Sequence, residues 1–210
     1  MYQLKAAGKI DHITFSVFTK QTIGFESSIK FGSMDQEGIS MGGAMSIYKT
    51  IDLGQWAIKS SNFKANGHDI SKKGERNMKF SLHLPYVYIP DKDFTELAIA
   101  LSLFNLDINC GKTGNYCKFS KPCSDVNMGT WYLSFDLFDD STLNNYALPF
   151  SSYFMIDGET FGDKGTCYFP VFKSGVIGDQ DSWYIGNMFI RYFYLSFDMS
   201  PHDEKGKDYI

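Results

Sequence analysis

Apolar and polar positions alternate over short runs along most of this chain. Ile13-Thr14-Phe15-Ser16-Val17-Phe18 and Trp131-Tyr132-Leu133-Ser134-Phe135-Asp136-Leu137 are the clearest, and a period of two is the mark of half-buried strands. Ser27 to Phe31 and Ala44 to Tyr48 read as further strands on either side of the glycine-rich stretch Gly38 to Gly43. Trp56 to Phe63 runs on to Asn66-Gly67, a pair that accepts the positive φ of a tight type I′ turn, so a returning strand is expected after it. One segment has helical spacing instead. Asp91 to Phe104, opened by Pro90 and Asp91, carries Phe94, Leu97, Ala98, Leu101 and Phe104 on one stripe, and Asp91 is placed to cap it. A short helix over Asn187 to Tyr192 and a turn near Phe150 to Tyr153 complete the reading. The expected fold class is all-β, mainly antiparallel, with a few short helices.

Length and composition narrow the function. At 210 residues the chain can bury a core of its own. Its formal charge is -4, and Arg76 and Arg191 are its two arginines, which leaves no phosphate-binding face and argues against nucleic acid as a partner. No run reaches the roughly 18 to 20 apolar residues of a membrane span; Leu97 to Leu106 comes nearest. Met1 to Ile10 has no apolar signal-peptide core, so a secreted form would carry its signal upstream. Cys110, Cys117, Cys123 and Cys167 contain no Cys-x-x-Cys pair, a spacing that suits disulfides better than zinc. No metal or other cofactor is expected. Disulfides imply an oxidising compartment such as the secretory or endomembrane system. No Asn-x-Ser/Thr sequence adds independent evidence of secretion.

Trp183-Tyr184-Ile185-Gly186-Asn187-Met188-Phe189-Ile190-Arg191 followed by Tyr192-Phe193-Tyr194-Leu195-Ser196-Phe197-Asp198 resembles the closing signature of pepsin-type aspartic peptidases, in which Trp-Ile-Leu-Gly-Asp-x-Phe-Leu-Arg precedes Tyr-Tyr-x-x-Phe-Asp. Asn187 stands where that family usually has Asp. Other pieces match in the family's order: Phe31-Gly32-Ser33-Met34-Asp35 is similar to its Phe-Gly-Gly-x-Asp turn, Trp56-Ala57-Ile58 to its Trp-x-Ile strand, and Pro149 to Tyr153 to its Pro-x-x-Tyr. The resemblance covers the second, C-terminal-type lobe of a two-lobed fold, as a domain over 1–200 with a tail over 201–210. It implies a disulfide between Cys123 and Cys167, and with it one between Cys110 and Cys117. Trp183, Gly186, Phe189, Arg191, Phe197 and Asp198 are then structural signature positions.

The same resemblance locates a loss. The family's second catalytic Asp-Thr/Ser-Gly should stand nine residues before Pro90, and there the chain reads Ser81-Leu82-His83, followed by Leu84-Pro85. Aspartic proteolysis needs two carboxylates about 3 Å apart that share a proton, and a serine hydroxyl cannot supply that charge. His83 replaces a glycine that lets two loops approach, and Leu84 and Pro85 remove bracing hydroxyls. Asp69 is too far from Pro90 to stand in. Asp91 and Asp93 fit a helix first turn, and Asp139-Asp140 fits a turn. A Ser81–His83 nucleophile would lack an acid partner and an oxyanion loop, and His12, His68 and His202 are isolated. The expected function is therefore a catalytically inactive aspartic-peptidase-like domain that serves as a structural or protein-binding module. Its protein partner would be an N-terminal lobe or other subunits, met through Leu84, Tyr86 and Ile89. The alternative is the second lobe of an active aspartic endopeptidase whose first lobe lies outside this sequence.

Overall fold

A computed structural model describes residues 1–19, 27–34, 39, 45–51, 55–104, 107–111, 114–150 and 155–200. Its first elements are helix α1 (Tyr2–Ala6) and strands β1 (Thr14–Phe18), β2 (Ser28–Phe31), β3 (Ala57–Ala65), β4 (His68–Asp69), β5 (Glu75–Phe80) and β6 (Val87–Ile89). Helix α2 (Asp91–Leu103) follows, then β7 (Tyr116–Phe119), β8 (Tyr132–Phe138), β9 (Leu143–Pro149), β10 (Ile156–Asp157) and β11 (Cys167–Lys173). The last elements are β12 (Ser182–Ile185), helix α3 (Asn187–Ile190) and β13 (Leu195–Asp198).

Two sheets result. A small antiparallel one has the order β13-β1-β2, so strands from opposite ends of the sequence lie side by side. The large one runs β10-β11-β6-β12-β5-β3-β8-β9, with β4 on β3 and β7 on β11. One buried cluster joins them, since Val17, Leu195 and Phe197 of the small sheet pack with Ile58, Phe63, Met78 and Trp183 of the large one. Phe15 stacks on Phe197 at 4.7 Å, and Phe63 lies 4.2 Å from Trp183 between ring centroids. Burying aromatic pairs of this kind removes large apolar areas from water and adds ring-to-ring attraction.

The mainly β reading and the expected hairpin agree with the structure. Asn66 and Gly67 turn at φ 48° and 87° between β3 and β4. The returning strand is short, and the ladder against β3 resumes with β5. Four expectations need correction. Met45 to Tyr48 form no strand, and Ala44 lies outside the described residues. Side chains tie this segment down instead: the Tyr48 hydroxyl meets Tyr146 at 2.9 Å and accepts from Asn144 at 2.8 Å, and the Lys49 N–H donates to Asp139 at 3.0 Å. Asp91 does not cap α2, because Pro90 occupies the N-cap and the Asp91 carboxylate accepts from Gln180 at 3.0 Å. Phe104 falls at the C-cap and is 40% exposed, while Phe94, Leu97, Ala100 and Leu101 form the buried stripe. The expected helix near Asn187 is confined to α3. Residues 151–153 of the expected turn and the tail over 201–210 lie outside the described residues.

Candidate functional site

Strand β12 lies between β5 and β6, parallel to the first and antiparallel to the second. The segment Ser81 to Tyr86, which joins β5 to β6, therefore has to arch over the end of β12. Three backbone bonds hold it there: Ser81 N–H to the Ile185 carbonyl at 2.9 Å, Gly186 N–H to Tyr86 at 3.1 Å, and Asn187 N–H to Leu84 at 2.8 Å. Gly186 has no Cβ, and one built there would fall on the Leu84 and Tyr86 carbonyl oxygens. A glycine is needed wherever two backbone segments come this close.

Within the arch, the Ser81 hydroxyl and His83 Nδ1 are 3.0 Å apart and exposed to water. Ser81 and Leu82 are half-buried, with Leu82 packed against the core, while His83 and Pro85 are exposed. The serine hydroxyl of the arch is thus bonded to an imidazole. Leu84 and Tyr86 are half-buried. Ile89 is not a surface residue: it is 0% exposed, because it points to the core side of β6, out of phase with Tyr88.

The acidic residues weighed from sequence serve the scaffold. Asp93 is 1% exposed and takes Arg76 Nη2 at 2.7 Å, Arg76 Nε at 2.6 Å and the Trp183 indole N–H at 2.9 Å. This buried triad ties α2 to β5 and β12, and the sequence reading missed it by treating Asp93 as a first-turn charge that complements the helix dipole. Its signal was Arg76, a lone arginine within an alternating strand pattern. Asp139 accepts from the backbone of Lys49, Ser141 and Thr142. Burial pushes its carboxyl up, but these bonds outweigh burial and hold it below the ordinary range. Asp69 pairs with Lys64 at 3.5 Å on the β3–β4 hairpin. His12 is exposed, His68 is half-buried on β4, and His202 lies outside the described residues. Among the described residues no cluster of His, Cys, Asp or Glu could hold a metal ion, and no helix is long and apolar enough to cross a membrane.

A second charged cluster braces the same region from outside. Lys79 on β5 reaches Asp179 at 3.0 Å, and Tyr184 on β12 donates to the same carboxylate at 2.8 Å. Burial alone would raise the Asp179 pKa. The Asp181 and Ser182 N–H groups, Lys79 and Tyr184 overcome it, and the carboxyl lies far below its usual range.

Disulfides link Cys123 to Cys167 and Cys110 to Cys117, the pairing the resemblance implied, and bonds of this kind form in oxidising surroundings. Of the signature positions, Trp183, Phe189 and Phe197 are buried in the core. Arg191 is exposed on the turn after α3, and the Asp198 carboxylate accepts from Ser200 N–H at 2.8 Å.

The model of the family described as eukaryotic aspartyl protease matches residues 1–204, and the chain belongs to that family. Among solved structures it is similar to basic 7S globulin from soybean, with a TM-score of 0.68 and 13% sequence identity over 99% of this chain. The match spans 52% of the globulin chain, about half its length. No curated protein sequence matches. The chain is thus an aspartic-protease-like domain with the architecture of a single pepsin-like lobe.

Proposed function

We propose that this lobe is catalytically inactive and works as a structural or protein-binding module of a larger assembly. The observation that carries this reading is Ser81, whose hydroxyl engages His83 at the point where the family places a carboxylate. A serine hydroxyl stays neutral across the physiological range, so the shared-proton chemistry of an aspartate pair has no second partner. The arch, the Gly186 close approach and the buried triad all persist without it, so shape is the retained property.

The small sheet is the surface for a protein partner. Among the described residues β2 is its outer strand, and Ile29 and Phe31 stand 58% and 53% exposed there. Large apolar side chains exposed side by side favour a protein neighbour. A companion lobe or another subunit would cover it. Secretory or endomembrane surroundings fit the two disulfides.

The test is cleavage of an unfolded protein substrate between pH 3 and 7 by the protein purified from its source, compared with a Ser81→Ala variant. Equal, background-level cleavage is expected. Cleavage that disappears in Ser81→Ala would overturn the reading. Native mass measurement should show the chain bound to another polypeptide, and a free monomer would remove the assembly role.

A further inference from the structure

The hairpin between β3 and β4 turns on Asn66 and Gly67, and its ladder closes at the pair Ala65 and His68. The Asn66 N–H donates to the Tyr132 carbonyl of β8 at 2.8 Å. The Gly67 N–H has no such partner. Among the described residues no acceptor takes it, Gly67 is exposed, and nothing lies within 4 Å of the place a Cβ would occupy. The Asn66 side-chain amide, half-buried at the same turn, likewise makes no hydrogen bond among the described residues.

The other described asparagines differ in one of two ways. Asn62, Asn144 and Asn145 commit their amide nitrogens to Asp136, Ser46 or Tyr48, and Asn109 and Asn127 accept from Gly111 and Gly129 N–H. Asn77, Asn115 and Asn187 are followed by Met78, Tyr116 and Met188, whose side chains crowd the intervening N–H. Only at Asn66 does a free carboxamide precede a free, uncrowded backbone nitrogen.

We infer that Asn66 is a spontaneous deamidation site, with water as the one co-reactant. The Gly67 nitrogen gives its proton to solvent base and attacks Asn66 Cγ. A bond forms between them, the Cγ–Nδ2 bond breaks, and ammonia leaves with a solvent proton. The five-membered succinimide that remains is opened by water at either carbonyl, giving an aspartyl or an isoaspartyl residue at position 66. No atom changes oxidation state. Glycine favours the step because it has no side chain to crowd the attacking nitrogen and its backbone turns most freely. Ring closure needs the turn to relax, and exposed loop tips open locally at low free energy.

Either product adds negative charge beside Lys64, which pairs with Asp69 at 3.5 Å on the same hairpin. The isoaspartyl product also carries the main chain through Cβ. That lengthens a turn whose geometry is fixed by a loop of two residues. Strand β4 then loses its register on β3, while β5, paired with β3 from Ala57 to Ser61, keeps its own. The modification therefore loosens the hairpin and spares the sheet. It does not depend on the missing catalytic carboxylate.

The experiment incubates the folded, full chain in mildly alkaline buffer at body temperature and follows its tryptic peptides by mass. Isoaspartyl content is read by methyl transfer from S-adenosylmethionine under an isoaspartate methyltransferase. The peptide Ala65 to Lys72, in which Asn66 is the one asparagine, should gain one mass unit before any other asparagine peptide and take up methyl groups. Its rate should rise with pH. Asn66→Gly keeps a turn-forming pair and should abolish both signals. Asn66→Asp, which tolerates the same φ and has no ammonia to lose, serves if that variant is unstable. Hydrogen exchange at the His68 amide should quicken in the aged chain, with the unfolding midpoint nearly unchanged. Mass gain at Asn66 in urea but not in the folded chain would overturn the inference, because the folded turn would then forbid ring closure. Gain led by another asparagine, or gain without methyl uptake, would overturn it as well.

Discussion

Trp183 on β12 donates its indole N–H to Asp93 on α2, 2.9 Å away and inside the core, while Arg76 on β5 grips the same carboxylate with two nitrogens. A charge this deeply buried is tolerated because every acceptor is met, and removing one partner strands the other. Asp93→Ala should therefore cost about 3 to 5 kcal/mol in urea unfolding. Replacing Asp93 and Arg76 together by leucine and methionine should recover most of that loss. If the double variant is no more stable than Asp93→Ala, the charge pair is not the source of the effect.

Gly186→Ala tests the arch. The added methyl would collide with the backbone carbonyls of Leu84 and Tyr86, which cannot swing aside as a side chain could. A loss of about 3 kcal/mol or more is expected, with faster hydrogen exchange at the Asn187 and Gly186 amides. Wild-type exchange rates at those amides would contradict the geometry.

The two disulfides should differ in weight. A loop of 44 residues between Cys123 and Cys167 restricts the unfolded chain by about 4 kcal/mol, whereas the separation of 7 between Cys110 and Cys117 gives about 2 kcal/mol. Paired serine substitutions compared by denaturant midpoint should reproduce that order.

The Asp179 cluster predicts a pH dependence. Its folded carboxyl titrates below its unfolded value of ~3.9. Its stabilisation is therefore complete above that value and declines as pH falls through the folded one. Asp179→Asn should lower stability by about 2 kcal/mol near pH 6. The gap to wild type should narrow steadily as the pH drops below ~4. A gap that stays constant into acid would mean that the charge itself contributes nothing.

Much of this was legible in the sequence, for reasons tied to particular residues. In the segment from Trp183 to Asp198, the side chains of Trp183, Ile185, Met188, Phe189, Leu195 and Phe197 are all buried in the core, so its order along the chain survives as a recognisable string. Asn66-Gly67 was legible because a tight turn restricts φ and few residues accept it. Ile89 was misplaced because position within a family motif does not reveal which face of a strand a residue occupies; the alternation Val87, Tyr88, Ile89 did. The Asp93 triad was hidden because its partners are separated by 17 and 90 positions, and nothing local links them.

The insertion of β12 between β5 and β6 also sets a timetable. Neither flanking strand can complete its hydrogen bonding until Ser182 to Ile185 have left the ribosome, and β1 must wait longer still for β13. At ordinary synthesis rates, about 100 residues lie between the emergence of β6 and that of its neighbour, an interval of roughly 5 to 20 seconds. During that interval the edges of β5 and β6 that face β12 lack their partner strand. Any chaperone that attends this chain has a defined gap to guard, and a ribosome stalled before Ser182 would display it indefinitely.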